Sequence, residues 1–321
     1  MSTFCVLDVG HGSCSVLRTE NYCAIFDLGH AATLIDFMQT EGIEKIDCLF
    51  ISHSDLDHID GVQGIISSES LEVAKVFLNP DADKDSGSWK DLVTALDDAS
   101  KSGLSVHTDL NVTLPDIDLD EISVRVIYPS VAAALRGPGA TKEGSTATVT
   151  QNDHSAVLRL TTDGKGLVLL TGDMSSDAWR QIASNGHEVS ATILLLPHHG
   201  GSFGTASDYG DLLEKVRPEY AVASNGRSSK FDNPQRETVA AVREFGSKLK
   251  CTQLCERCGT HPPSRGCGHN ASRGKIRAHS CAGSIQFTID SSATRMVNEE
   301  EHDAFLRLLD APQCVVMPPP Q

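Results

Sequence analysis

Aromatic side chains are scarce here: Phe, Tyr and Trp make up 5% of the 321 residues. So few rings leave little material for a stacking platform of the kind that grips single-stranded nucleic acid. Basic charge is short as well. Lys and Arg number 27 against 43 Asp and Glu, a net charge of −16, which argues against the broad positive surface of a non-specific duplex binder. It does not exclude an enzyme of phosphodiesters, because divalent cations supply positive charge locally. No uninterrupted apolar run approaches the ~18 residues of a membrane span. The opening residues, MSTFCVLDVGHGSC, also lack the basic and apolar regions of a secretory signal. The expectation is a cytoplasmic, soluble protein without a membrane partner. The 40% hydrophobic content, spread along the whole chain, excludes general disorder. Ten cysteines in that setting read as free thiols or metal ligands rather than disulfides. Cys5, Cys14, Cys23 and Cys48, inside apolar runs, read as core thiols.

Strand-like runs open the chain at 4–9, 13–18, 22–27 and 46–52. Others follow at 74–78, 122–129, 155–160, 166–172, 193–197, 220–224 and 284–290. Helical periodicity falls on 31–42, stopped by Gly42, and on 88–103, 174–185, 207–216 and 235–246. Strands first, then strand–helix alternation, with no solenoid repeat, fit two β-sheets flanked by helices. NPDADKDSGS (79–88) reads as a solvated acidic connection, and the Gly/Thr-rich 136–153 as a mobile loop over the site. VVMPPPQ at the end reads as a fraying tail.

The densest chemistry is ISHSDLDHIDG (51–61), directly after a buried run. It sets His53, Asp55, Asp57 and His58 in an H-x-D-x-D-H array, where alternate residues leaving a strand end point the same way. Imidazole and carboxylate at that density suit Zn²⁺ or Mn²⁺. A bare turn, with Ser54 or Asp55 capping a helix that starts near 57, is the alternative. Four ligand-type residues within six positions weigh against it.

The array resembles the H-x-H-x-D-H motif of the metallo-β-lactamase fold, in the variant where the second His is Asp. That variant is typical of the hydrolase domain of the ComEC competence proteins and their stand-alone relatives. Other segments resemble the same family in order. LDVGHGSCSVL (7–17) is similar to LDVGQGDA with His11 for Gln, and IFDLG (25–29) to the IDxG turn. QNDHSAVLRL (151–160), LLTGD (169–173) and LLLPHHGG (194–201) continue the match. The resemblance implies an α/β (α+β) chain, an αββα sandwich in a single domain over 1–295, followed by a C-terminal helix and tail over 296–321. It also implies two divalent ions, Zn²⁺ or Mn²⁺: His53 and Asp55 on one, Asp57 and His58 on the other, Asp173 bridging. One of His198 and His199 completes the second centre and the other contacts substrate or donates a proton. Asp57 orients the attacking hydroxide, and Asp8 and Asp27 support ligand histidines. Two positions depart from the family. Asn233 stands where relatives carry His before Pro. His154 falls near a further ligand position of the wider fold, although Gln151 takes that place in the better register; otherwise it is a solvated loop histidine.

Residues 251–281 hold a Cys/His-rich insertion before the last strand, with Arg257, Arg265, Arg273, Lys275 and Arg277 as a basic cluster. Cys255-x-x-Cys258 offers half of a structural zinc knuckle, which Cys267 with Cys281, or a histidine, would complete. Unligated thiols packing a loop are the alternative. The function expected from the resemblance is phosphodiester hydrolysis, with nucleic acid or a small phosphodiester as substrate and Asp57, His198 and His199 as catalytic residues. The family also implies a place in bacterial antiviral defence, beside a protein partner in a multi-component system. Hydrolysis of a small ester or nucleotide, and a non-catalytic accessory role, are the competing readings.

Overall fold

Cys23–Phe26, Cys48–Phe50, Ile193–Leu195 and Tyr220–Ala223 are buried at every position, as strands covered on both faces must be. A computed structural model, describing residues 2–227, 231–259, 280–290 and 292–315, pairs them in parallel, the first with the second and the third with the fourth. They sit in two different sheets. The eight-stranded sheet runs Thr294–Met296, Ile285–Ile289, Ser2–Val6, Ser15–Arg18, Cys23–Phe26, Cys48–Phe50, Lys75–Phe77, Ser105–His107. The seven-stranded sheet runs Lys248–Cys251, Tyr220–Ala223, Ile193–Leu195, Lys165–Leu170, Val157–Thr162, Ile122–Tyr128, Ile117–Leu119. Each sheet is antiparallel in one half and parallel in the other.

Apolar packing makes four layers. Phe4, Phe26, Phe50, Val126, Leu158 and Val222 belong to the core between the sheets. The outer face of the first sheet packs on helices Ala31–Glu41 and Gly87–Lys101 through Leu34, Met38, Leu92 and Leu96. Helices Ser176–Ser184, Ala206–Val216 and Arg236–Phe245 cover the second sheet through Trp179, Ile182, Leu212 and Val242. Each such large side chain contributes ~1.5–3 kcal/mol by leaving water. The helix ends are chemically marked. The Ser86 and Ser175 hydroxyls accept backbone N–H groups at the starts, Thr205 and Asp208 cap each other's backbone, and Gly42 closes the first helix at φ 65°. This is the αββα sandwich that the resemblance implies.

Cys5, Cys14, Cys23 and Cys48 are core thiols, as expected, and burial pushes Cys23 up to about 12 and Cys48 to about 11. The 79–88 connection is more than solvated chain. Asp81 is buried, its Oδ1 accepts the Asp83 and Lys84 N–H groups, and Lys84 reaches back to pair with Asp55. Within 136–153, Lys142 pairs with Asp153 and Asp177 at 2.8 Å each, which ties the loop to the helix Ser176–Ser184. After the last strand, helix Glu299–Leu306 docks on the second sheet's edge, where buried Lys250 meets Asp303 at 3.1 Å and Glu299 at 3.3 Å. Among the described residues no helix is long and apolar enough to cross a membrane.

Candidate metal centre

The side chains that the sequence marks as candidate metal ligands leave the C-terminal ends of parallel strands, where open α/β sheets gather their sites. Cys48–Phe50 leads to His53 and to the short helix Leu56–Ile59, whose first turn carries Asp57 and His58. Asp55 stands at that helix's N-cap, but its side chain makes no capping hydrogen bond, so capping does not account for it. From the second sheet, Lys165–Leu170 leads to Asp173, and Ile193–Leu195 to the turn Pro197–Gly200. In that turn His198 and His199 both adopt left-handed backbone, φ 52° and 57°, a conformation rare outside glycine. Two glycines from the first sheet admit the Asp57 backbone. A Cβ on Gly29 would lie 2.1 Å from the Asp57 carbonyl oxygen, and one on Gly12 2.6 Å from it.

Asp57, His58, Asp173 and His199 come together, with one donor atom of each within 4.8 Å of all the others. Asp57 Oδ2 lies 3.2 Å from His199 Nε2, and Asp173 Oδ1 lies 3.2 Å from His58 Nε2 and 3.5 Å from His199 Nε2. The ring orientations are set from behind. His58 Nδ1 donates to Asp27 Oδ2 at 2.8 Å, and His199 Nδ1 donates to the Ser224 carbonyl at 2.8 Å. Both tautomers therefore leave Nε2 with a lone pair facing the centre. Asp27 is itself fixed by the Ser52 N–H (2.7 Å) and hydroxyl (2.9 Å), so the His58 ring is held from a fixed point.

His53 Nε2, His58 Nε2 and Asp173 Oδ1 are buried with no well-directed hydrogen bond among the described residues, only facing ionic contacts of 3.2–3.5 Å. Burying polar groups so poorly satisfied is costly, and a divalent cation is the partner their chemistry fits. Charge tells the same story. Burial would lift the Asp57 and Asp173 carboxyls, but the His199 and His58 imidazoles outweigh it and hold both below the usual carboxylate range. Burial likewise opposes protonation of His58 and His199, yet the facing carboxylates raise both. A cation at this point would replace those protons. Asp27→Asn, which keeps a side chain suited to the φ of 58° at this position, should weaken metal affinity by ~10-fold or more. Titration against a fluorescent chelator measures it, and unchanged affinity would show that Asp27 does not orient the ligand.

His53 and Asp55 stand beside this cluster, His53 Nε2 3.5 Å from Asp55 Oδ2, while the other Asp55 oxygen pairs with Lys84. His198 lies at the rim with a side chain 23% exposed and Nδ1 3.4 Å from Asp173 Oδ2. Asn233 is buried, and its amide donates to the His198 carbonyl at 3.1 Å, so it braces the turn that carries both histidines. His154 is buried in the turn Asn152–His154, not solvated, and burial holds its pKa down. Asp8 accepts from Gln253 (2.8 Å), Ser280 (3.0 Å) and the Gly10 N–H (3.2 Å), anchoring the first loop to the last strands. That loop delivers a residue whose place the sequence did not reveal. His11 Nε2 is 3.3 Å from Asp57 Oδ2, and its ring stacks on Phe231 at 4.2 Å and 5°. The signal was there, in the departure from Gln at this position. Of the four cysteines set apart for zinc, Cys255 and Cys258 lie with their sulfurs 3.3 Å apart. Cys281 is in the same apolar cluster, 3.4 Å from His302 Nε2. Cys267 lies outside the described residues, as do Arg265, Arg273, Lys275 and Arg277.

A carboxylate–imidazole cluster at the strand ends of an αββα sandwich defines a metal-dependent hydrolase fold. Residues 7–223 match the metallo-beta-lactamase superfamily, and the chain belongs to that superfamily. It is 26% identical over 254 residues to competence protein ComA of Neisseria gonorrhoeae, an alignment covering 78% of this chain and 30% of that protein. ComE operon protein 3 of Bacillus subtilis is 21% identical, with 70% and 25% covered, and recombination protein 2 of Haemophilus influenzae 24%, with 77% and 27%. The chain thus spans less than a third of the length of these relatives. Among solved structures it is similar to YhfI of Bacillus subtilis, a metallo-beta-lactamase fold protein (TM-score 0.48, 13% identity, 78% of this chain and 96% of that one). Igni18, a metallo hydrolase of Ignicoccus hospitalis, gives a TM-score of 0.45 at 16% identity, covering 78% and 94%.

Proposed function

We propose that the chain is a metal-dependent phosphodiesterase whose substrate is nucleic acid, working with two divalent cations, Zn²⁺ or Mn²⁺. The observation that carries this reading is the buried meeting of His58 Nε2, His199 Nε2, Asp57 and Asp173, with both rings fixed from behind. Asp57, His58 and His199 would hold one cation and His53 and Asp55 the other, with Asp173 placed to serve both. Three aspartates among these six donors favour hard cations and hence phosphate oxygens. The cations, when bound, bring the pKa of water down to ~7 and offset charge developing on the phosphoryl group. The Asp57 carboxylate orients the attacking oxygen, while Asp27 and the Ser224 carbonyl keep the imidazoles in register. His198 at the rim hands a proton to the departing oxygen. Two relatives carry competence and recombination in their names, which favours DNA. The cytoplasm is the compartment that suits nine free thiols among the described residues.

Phe231, 40% exposed beside the centre, supplies a ring for a base to stack on despite the low aromatic content. Phe231→Ala should raise KM for a short single-stranded DNA by about tenfold, within the ~1–3 kcal/mol that one stacked base contributes, and leave kcat within about twofold. An unchanged KM would remove Phe231 from the binding site. The reading as a whole is tested by supplying labelled single- and double-stranded DNA, RNA and bis(p-nitrophenyl) phosphate with Mn²⁺ or Zn²⁺. Cleavage of nucleic acid that chelator abolishes is the expected result. Cleavage of the small diester alone would move the substrate to small phosphodiesters, and none by metal-loaded protein would overturn the reading.

A further inference from the structure

We infer that Cys255 and Cys258 are a redox-active dithiol, a modification site apart from the hydrolytic centre, which a peroxide closes to a disulfide and which thereby loosens the rim of that centre. Cys255 is the N-cap of the 3₁₀ turn Glu256–Cys258, and Cys258 is its last residue. Side chains three apart on such a turn eclipse one another, so the C-x-x-C spacing itself stacks the two thiols. Their sulfurs lie 3.3 Å apart. A disulfide needs ~2.05 Å, so the approach still to be made is little more than ~1 Å. Both thiols are buried beside Leu254, Phe305, Leu306 and Leu309, and Cys258 is the more accessible at 7%. Among the described residues no third Cys, His, Asp or Glu brings a donor atom within 4.8 Å of both sulfurs. The pair is set for two-sulfur chemistry rather than for a metal.

The two thiols are unequal, which names the attacking sulfur. The hydrogen bond between them lowers Cys258 and raises Cys255, and the Gln313 backbone N–H adds to the hold on a Cys258 thiolate. That thiolate attacks one oxygen of hydrogen peroxide. The O–O bond breaks, and hydroxide leaves and takes up a proton as water, with a sulfenic acid left on Cys258. Cys255 Sγ then attacks the Cys258 sulfur, the S–O bond breaks, and the second oxygen departs with the Cys255 proton as water. Two thiols and one peroxide become one disulfide and two waters, and the sulfurs have given two electrons to the peroxide.

The turn that closes is tied to the catalytic rim. Arg257, between the two cysteines, pairs with Asp232 and donates to the Pro234 carbonyl. Those partners flank Asn233, whose amide braces His198, and adjoin Phe231, which stacks on His11. On the backbone, Arg227 donates to the Cys255 carbonyl (3.0 Å) and the Gly259 carbonyl (2.8 Å), and Gln313 Nε2 to the Arg257 carbonyl (3.3 Å). Drawing the sulfurs together tightens the turn about Arg257, and hydrogen bonds fixed at its carbonyl and its guanidinium lose their alignment. Segment 231–235 is thereby released.

The full chain, reduced and then treated with equimolar hydrogen peroxide, should lose two thiols and regain them in dithiothreitol. Trypsin cuts after Arg257, so the link should appear as two joined fragments, and C251S assigns it to Cys255 rather than Cys251. Amide exchange over 231–235 should rise by about tenfold when the wild type is oxidised, and peroxide should leave it unchanged in C255S/C258S. Metal-dependent cleavage of single-stranded DNA should fall in the oxidised wild type, recover in dithiothreitol and not respond to peroxide in C255S/C258S. The effect on cleavage rests on the phosphodiesterase reading, whereas the disulfide and the exchange do not, so a chain that cleaves nothing still decides the matter. Cys255 and Cys258 both open to alkylation after peroxide would overturn the proposal, as would zinc–sulfur bonds to them in the purified protein. Exchange or cleavage left by the disulfide at its reduced rate would equally overturn the link to the rim.

Discussion

Asp57→Ala is expected to lower metal-dependent cleavage by on the order of a thousandfold or more, through kcat rather than KM. The carboxylate faces the Nε2 atoms of both His199, at 3.2 Å, and His11, at 3.3 Å, so its removal takes the facing charge from His11 and leaves His199 with Asp173 alone, at 3.5 Å. It also deletes one of the four donors that meet at a single buried point. Metal content should fall together with activity, and Asp57→Asn, which preserves shape and removes charge, should lose nearly as much. Steady-state kinetics with elemental analysis on the same samples checks both. Cleavage within a few-fold of wild type would remove Asp57 from the centre.

Gly29→Ala is expected to be nearly as damaging, although it adds one methyl group and removes no donor. The new Cβ would sit 2.1 Å from the Asp57 carbonyl oxygen and 3.4 Å from the Gly12 Cα, both backbone atoms that cannot rotate away. Overpacking of this kind costs ~1–3 kcal/mol or more. Relief requires moving the very segment that carries Asp57 and His58. The melting temperature should drop and Mn²⁺ affinity with it. Gly64→Ala, in the helix Val62–Ile66 with nothing within 4 Å of its Cβ, is the control and should be neutral or stabilising. A Gly29→Ala protein that binds Mn²⁺ as wild type does would show that the close approach is unimportant.

Much of this architecture is legible in the order of residues alone. Both sheets are visible there because their strands are apolar runs bounded by turn residues, and the helices because of their apolar periodicity and, for the first, Gly42 as its stop. Ser105–His107, Ile117–Leu119, Lys248–Cys251 and Thr294–Met296 are not, since three or four residues are too few to show alternation. At the site, His53, Asp55, Asp57 and His58 stand out by density within six positions. What stays hidden is whatever depends on chain segments meeting across long separations. The choice of His199 over His198 for the cluster rests on which Nδ1 finds the Ser224 carbonyl. Phe231 and Lys84 reach the centre from loops whose local sequence carries no ligand pattern, and His11 shows only as a departure from Gln.

The most direct test of the metal centre is anomalous diffraction at the manganese absorption edge from crystals soaked in Mn²⁺. The arrangement predicts a peak within ~2.0–2.3 Å of Asp57, Asp173, His58 Nε2 and His199 Nε2, and a second between Asp173 and the His53–Asp55 pair. Anomalous density confined to the acidic surface, with His58 and His199 still hydrogen-bonded only to protein, would contradict it.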